Sequence, residues 1–101
     1  MHGSTTTNEN ERVLEIPFEV LDAHNKNQFR DLVNETPAQI GQGFCLDLIN
    51  VKFMDSAGLG AIVATIKQIR NLGGEIVIQN VSVEVRSVFE RVQMSRLVEI
   101  R

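Results

Sequence analysis

A chain of 101 residues, 43% hydrophobic and 23% charged, has the size and composition of one globular domain. Its net charge is -3, and Lys52, Lys67, Arg70, Arg86, Arg91, Arg96 and Arg101 are scattered. No concentrated basic face results, which argues against nucleic acid as a partner. No apolar run approaches the ~20 residues of a membrane span, and no apolar signal core opens the chain, so a cytoplasmic domain without membrane insertion is expected.

Residues 1–12, MHGSTTTNENER, are polar and aperiodic and predict a disordered tail; residues 13–101 predict a single domain. Residues 13–16 begin a strand. Pro17, which cannot donate to a ladder, makes it an edge strand or splits it, with residues 18–21 resuming the extended run. Asp22-Ala23-His24-Asn25 reads as a loop in which Asp22 or Asn25 caps a helix bearing Phe29, Leu32 and Val33 at helical spacing. Pro37 stops that helix, and residues 38–43 connect onward.

Residues 44–49 form a near-continuous apolar run, as expected of a strand covered on both faces. The lone Cys45 inside it excludes an intramolecular disulfide and reads as a small buried side chain. Asp47 in the same run reads as a hydrogen-bonded structural acid. Leu59, Ile62, Val63, Ile66 and Ile69 then mark one face of a helix, which Gly73-Gly74 terminates. Residues 75–79 are a strand, Ser82 caps a helix carrying Val85, Val88, Phe89 and Val92, and residues 97–100 are a last strand. This alternation predicts an α/β fold, a small mixed sheet with helices packed on it.

The chemistry concentrates in Asp55-Ser56-Ala57-Gly58-Leu59-Gly60, where a strand hands over to a helix. Helix capping explains Asp55 and Ser56, but accounts less well for two glycines that each cost about 1 kcal/mol against Ala inside a helix. A nucleophilic serine is disfavoured, because Met54 replaces the elbow glycine and no histidine follows Ser56. A phosphate-binding loop is disfavoured too, since Ala61-Ile62 stands where Lys-Ser or Lys-Thr is required. A serine that another protein phosphorylates fits the physics. Helix amides and dipole favour the added charge while the surface changes sharply. His24 reads as an exposed loop residue, Met54 and Met94 as packing side chains, and no metal or other cofactor is expected.

These residues resemble a STAS domain, and most of all the bacterial anti-sigma factor antagonists. The likeness rests on Leu46-Asp47-Leu48, on residues 51–60, on Gly73-Gly74-Glu75 and more weakly on Leu21-Asp22-Ala23. It implies a non-enzymatic partner switch. The unphosphorylated antagonist binds an anti-sigma factor that is also a serine kinase; phosphorylation releases it, and a PP2C-type phosphatase resets the cycle. By this resemblance Ser56 is the phosphorylated residue, and Asp22, Asp55, Ser56 and Gly58 are partner-binding positions. The alternative within the family is a non-switching interaction module of a transporter or sensory complex. One departure stands out: the family has two strands before the Leu-Asp-Ala loop, whereas strand character is read here only from Val13 onward.

Overall fold

A computed structural model describes residues 4–7, 11–36 and 41–101. Its main sheet has five strands in the order β1-β2-β4-β6-β7: β1 (Ser4–Thr7), β2 (Glu11–Glu15), β4 (Gly43–Asp47), β6 (Glu75–Gln79) and β7 (Glu99–Ile100). The first pair is antiparallel and the others are parallel. A second sheet holds only β3 (Val20–Leu21) beside β5 (Phe53–Met54), also parallel. Parallel neighbours need crossovers, and each crossover carries a helix: α1 (Lys26–Glu35), α2 (Ser56–Asn71) and α3 (Val83–Arg91). The expected mixed α/β architecture is therefore present.

Two expectations are corrected. Ser4–Thr7 is a strand, paired from Ser4 opposite Glu15 to Thr7 opposite Arg12, and Glu11 and Arg12 belong to β2. The polar tail expected over residues 1–12 thus contains ordered backbone; the rest of it, residues 1–3 and 8–10, lies outside the described residues. β2 is also not an edge strand, because β1 covers its free side. Pro17 does split the run: β2 ends at Glu15, and the chain re-forms as β3 in the other sheet. β1 and β2 therefore both precede the Leu21-Asp22-Ala23 loop, and the short β3 runs into it. Pro37 and the start of the 38–43 connection fall outside the described residues.

The core follows the apolar periodicity. In β4, Phe44, Cys45, Leu46 and Asp47 are all buried, as suits a strand with neighbours on both sides and cover on both faces. On α2, Ile62, Ile66 and Ile69 are buried, each contributing roughly 1.5–3 kcal/mol relative to exposure. Phe29 of α1, Val85 and Phe89 of α3, and Met54 and Met94 complete this core. Burial pushes the Cys45 thiol up to about 11, so it is protonated and inert at neutral pH.

Helix ends are specified locally. Gly73 has φ 82°, its amide donates to the Arg70 carbonyl, and the Gly74 amide reaches back to Ile69. This is a Schellman closure, and the positive φ is why glycine stands there. At the start of α3, the Ser82 hydroxyl accepts from the Val85 amide at 3.2 Å, as its sequence position predicts.

Candidate functional site

The two-residue pairing of β3 with β5 brings two distant segments to one corner. Leu21 lies opposite Met54, and the Asp55 amide donates to the Leu21 carbonyl at 3.3 Å. The Asp22 loop thus abuts the first turn of α2. Asp22 serves this loop internally: its Oδ1 accepts from the His24 amide at 2.9 Å, and its carbonyl accepts from the Lys26 amide at 2.9 Å. Asn25 precedes α1 but does not cap it through its side chain. It reaches back instead, accepting from the Asp22 amide at 2.9 Å and donating to the Val20 carbonyl at 2.6 Å. His24 is exposed.

Asp55 is the N-cap of α2. Its backbone is extended, its Oδ1 accepts from the Gly58 amide at 2.8 Å, and its Oδ2 lies 3.4 Å from the Ala23 amide. One carboxylate therefore closes the helix start and holds the neighbouring loop to it. The Gly58 amide is the main reason its carboxyl sits below the usual carboxylate value. The Ala23 and Ala57 amides and His24 add to this, against a smaller opposing effect of desolvation. Asp55 is accordingly an anion at neutral pH, placed where the helix dipole favours one.

The glycines play different parts. Gly58 is buried, and a Cβ there would lie 2.1 Å from the Leu21 carbonyl oxygen. Its role is to let α2 start against β3, so the close backbone approach implied by its helix penalty is met within the chain. A Cβ on Gly60 would meet nothing within 4 Å. No internal contact explains that glycine.

With Asp55 as the cap, Ser56 is left as the first helical residue, exposed and without a side-chain hydrogen bond among the described residues. Its surroundings are apolar. One cleft beside it, of about 320 Å³, is lined by Leu59, Gly60, Val63, Val92, Met94 and Leu97. A second, of about 520 Å³, runs between Phe53, Leu59, Val88 and Val92, with Asp55, Glu84 and Arg91 at its polar margin. Phe53 is 57% exposed and Val92 51% exposed, large values for apolar side chains so close together.

Of the four positions singled out from sequence, Asp22, Asp55, Ser56 and Gly58, all meet at this corner. Asp22 and Asp55 use side-chain oxygens to hold backbone amides and Gly58 is covered, whereas the Ser56 hydroxyl makes no bond among the described residues. The sequence reading missed the apolar shoulder. Val92 continues the helical spacing of Val85, Val88 and Phe89 and is expected on one face with them, yet it is half exposed and lines the cleft. Its position one residue beyond α3 was the available signal.

Elsewhere, Asp47 is a structural acid, accepting from the Ile49 amide at 3.0 Å and from the Gln79 and Asn80 side chains at 3.1–3.2 Å. Among the described residues no three His, Cys, Asp or Glu side chains gather to hold a metal ion. No described helix is long and apolar enough to cross a membrane.

A five-stranded mixed sheet whose strand–serine–helix corner is capped by an aspartate defines a known class, and the chain belongs to it: the STAS domain family matches residues 4–101. Among named relatives, the anti-sigma-B factor antagonist of Listeria monocytogenes is 28% identical over 81 residues, covering 80% of this chain and 71% of that protein. The fold recurs in the phosphorylated form of the Bacillus cell fate determinant SpoIIAA. The TM-score is 0.66 at 18% identity, over 98% of this chain and 90% of that one. It also recurs in the murine anion transporter Slc26a9, with TM-score 0.84 at 15% identity, over 98% of this chain and 20% of that one. The last two likenesses are of fold.

Proposed function

We propose that this chain is an anti-sigma factor antagonist that works by partner switching, with Ser56 as the phosphorylated residue. The observation that carries the reading is the state of the Ser56 hydroxyl, exposed and free of hydrogen bonds because Asp55 performs the capping. A serine needed for the fold would be bonded; this one is presented. The named relative from Listeria and the phosphorylated SpoIIAA structure support the same reading.

In the unphosphorylated state, an anti-sigma factor kinase docks on the apolar shoulder formed by Phe53, Leu59, Val63, Val92 and Leu97 and covers Ser56. The kinase moves the γ-phosphoryl group of ATP to Ser56 Oγ; the hydroxyl proton passes to the kinase and ADP leaves. The product adds a charge of about -1.5 to -2 beside the existing Asp55 anion. A docked partner must then desolvate both charges against apolar surface, so it dissociates. A PP2C-type phosphatase hydrolyses the ester to serine and inorganic phosphate and restores the shoulder. Asp55 and Asp22 shape the corner, and the protein itself is no enzyme. The cycle belongs in the cytoplasm, without nucleic acid or membrane insertion.

Incubation with the cognate kinase and ATP, followed by intact-mass and peptide mapping, tests the assignment: one phosphate on Ser56 is expected. No phosphate, or phosphate elsewhere, ends the switching reading. In binding measurements Ser56→Asp is expected to weaken the complex by at least about 100-fold, the cost of a buried unpaired charge. A non-switching STAS module, the role suggested by the fold shared with the anion transporter, would bind its partner equally well with Ser56→Asp.

A further inference from the structure

We infer that Arg91 is the intramolecular counter-charge of phosphorylated Ser56, drawn across the cleft between α2 and α3 when the phosphate arrives. The inference rests on phosphorylation at Ser56 and concerns what the chain does with the added charge.

Both residues line the same cleft of about 520 Å³, Ser56 at the start of α2 and Arg91 at the end of α3. Glu84, Val88 and Arg91 are spaced i, i+4, i+7, so one face of α3 carries all three toward that cleft. Arg91 makes no ion pair or side-chain hydrogen bond among the described residues. The acids that could hold it are otherwise placed. Asp55 directs its two oxygens to the Gly58 and Ala23 amides. Glu84 stands two helical turns from Arg91, about 10 Å along the axis. Lys26 and Arg30 of α1 face the other side of the α2 start, in a cleft with Ala57, Gly60 and Ala61 that does not include Ser56. Among the described residues Arg91 is thus a cation that shares a cleft with the serine, and a guanidinium suits a phosphate through two parallel N–H···O bonds.

In the unphosphorylated chain Arg91 leaves the apolar floor of Phe53, Val88 and Val92 open. Bound to the phosphate, its side chain lies over that floor, so modification blocks docking from within as well as by repulsion.

The test uses the full chain with phosphoserine installed at position 56 during translation, which makes it independent of any kinase. The second ionisation of the phosphate, near pH 6 for a free phosphoserine, is followed by phosphorus NMR. Arg91→Gln is expected to raise this pKa by about 0.5–1, a smaller effect than for buried pairs because the site is open. Arg91→Lys is expected to restore part of the shift, and Lys26→Gln and Arg30→Gln to leave it nearly unchanged. Equal titration in the wild-type background and Arg91→Gln overturns the inference, as does a larger effect from Lys26→Gln or Arg30→Gln. A kinase that ignores Ser56 would defeat the switching cycle and leave this measurement standing.

Discussion

Asp47 and Asp55 each stand at the end of a strand, and the two acids end in opposite circumstances. Asp47 closes β4, is buried, and is surrounded by the Ile49 amide and the side chains of Gln79 and Asn80. Asp55 follows β5, is partly exposed, and holds backbone amides of α2 and of the loop after β3. Around Asp47 one backbone amide and two side-chain amides all donate to the carboxylate. Around Asp55 the adjoining serine hydroxyl has no partner among the described residues, and the adjoining side chains are apolar and open. The difference teaches where to look for function: in what a well-made corner leaves unsatisfied, more than in the acid that builds it.

The comparison can be broken at several points. The largest effect is expected from Gly58→Ala, whose Cβ would sit 2.1 Å from the Leu21 carbonyl. Backbone must move, at a cost of about 3 kcal/mol or more in chemical denaturation. A wild-type denaturation midpoint would mean that α2 does not start against β3. Asp47→Ala leaves the Ile49 amide and the side-chain amides of half-buried Gln79 and exposed Asn80 without their acceptor, and is expected to cost about 1–2 kcal/mol by the same measurement.

Asp55→Ala should lower the thermal midpoint less than Asp47→Ala does, and the loss should depend on pH. The folded state holds the Asp55 carboxyl below its ordinary value of 3.8, so its contribution is complete above that value. It is lost as pH falls through the lower folded value, because the unfolded chain then binds the proton more readily. Melting curves of the wild type and Asp55→Ala should therefore converge as pH falls through the lowered folded value; a constant gap would show that the cap acts through packing.

Gly60→Ala is expected to stabilise the chain by up to about 1 kcal/mol, since the new methyl meets nothing within 4 Å. The same substitution should weaken binding of a partner that lies flush on α2. A gain in stability with unchanged affinity would remove Gly60 from the docking surface. Ser56→Ala should alter stability by less than about 0.5 kcal/mol, as befits an exposed hydroxyl with no bond. A larger loss would make Ser56 a structural residue and erase the contrast with Asp47.

Much of this was legible in the sequence because it is local. The α2 stripe of Ile62, Ile66 and Ile69, the Gly73-Gly74 closure and the Ser82 cap each depend on residues within one or two helical turns. What escaped is non-local or too short for a period. β3 and β5 have two residues each, and only their mutual pairing makes them strands. β1 is a Ser-Thr run without apolar alternation; three β-branched threonines were the available sign of strand character. At the serine corner the motif residues were visible, but the division of labour among them was not. That Asp55 caps, Gly58 clears space for Leu21 and Ser56 stands free follows from a loop more than thirty residues away in the chain.

The two-strand β3–β5 sheet has a dynamic consequence. Its backbone bonds, among them those from the Lys52 and Phe53 amides to the Glu19 carbonyl, are not shared with the five-stranded sheet, and buried Leu21 and Met54 supply the rest of the hold. With so short a ladder, the corner is expected to open more readily than β2, β4 and β6. Amide hydrogens of residues 52–55 should exchange with solvent far faster than those of β4, at rates independent of global stability. Such transient opening would deliver the serine to an enzyme's active site on a loosened segment of chain, with the core acting as a fixed anchor behind it.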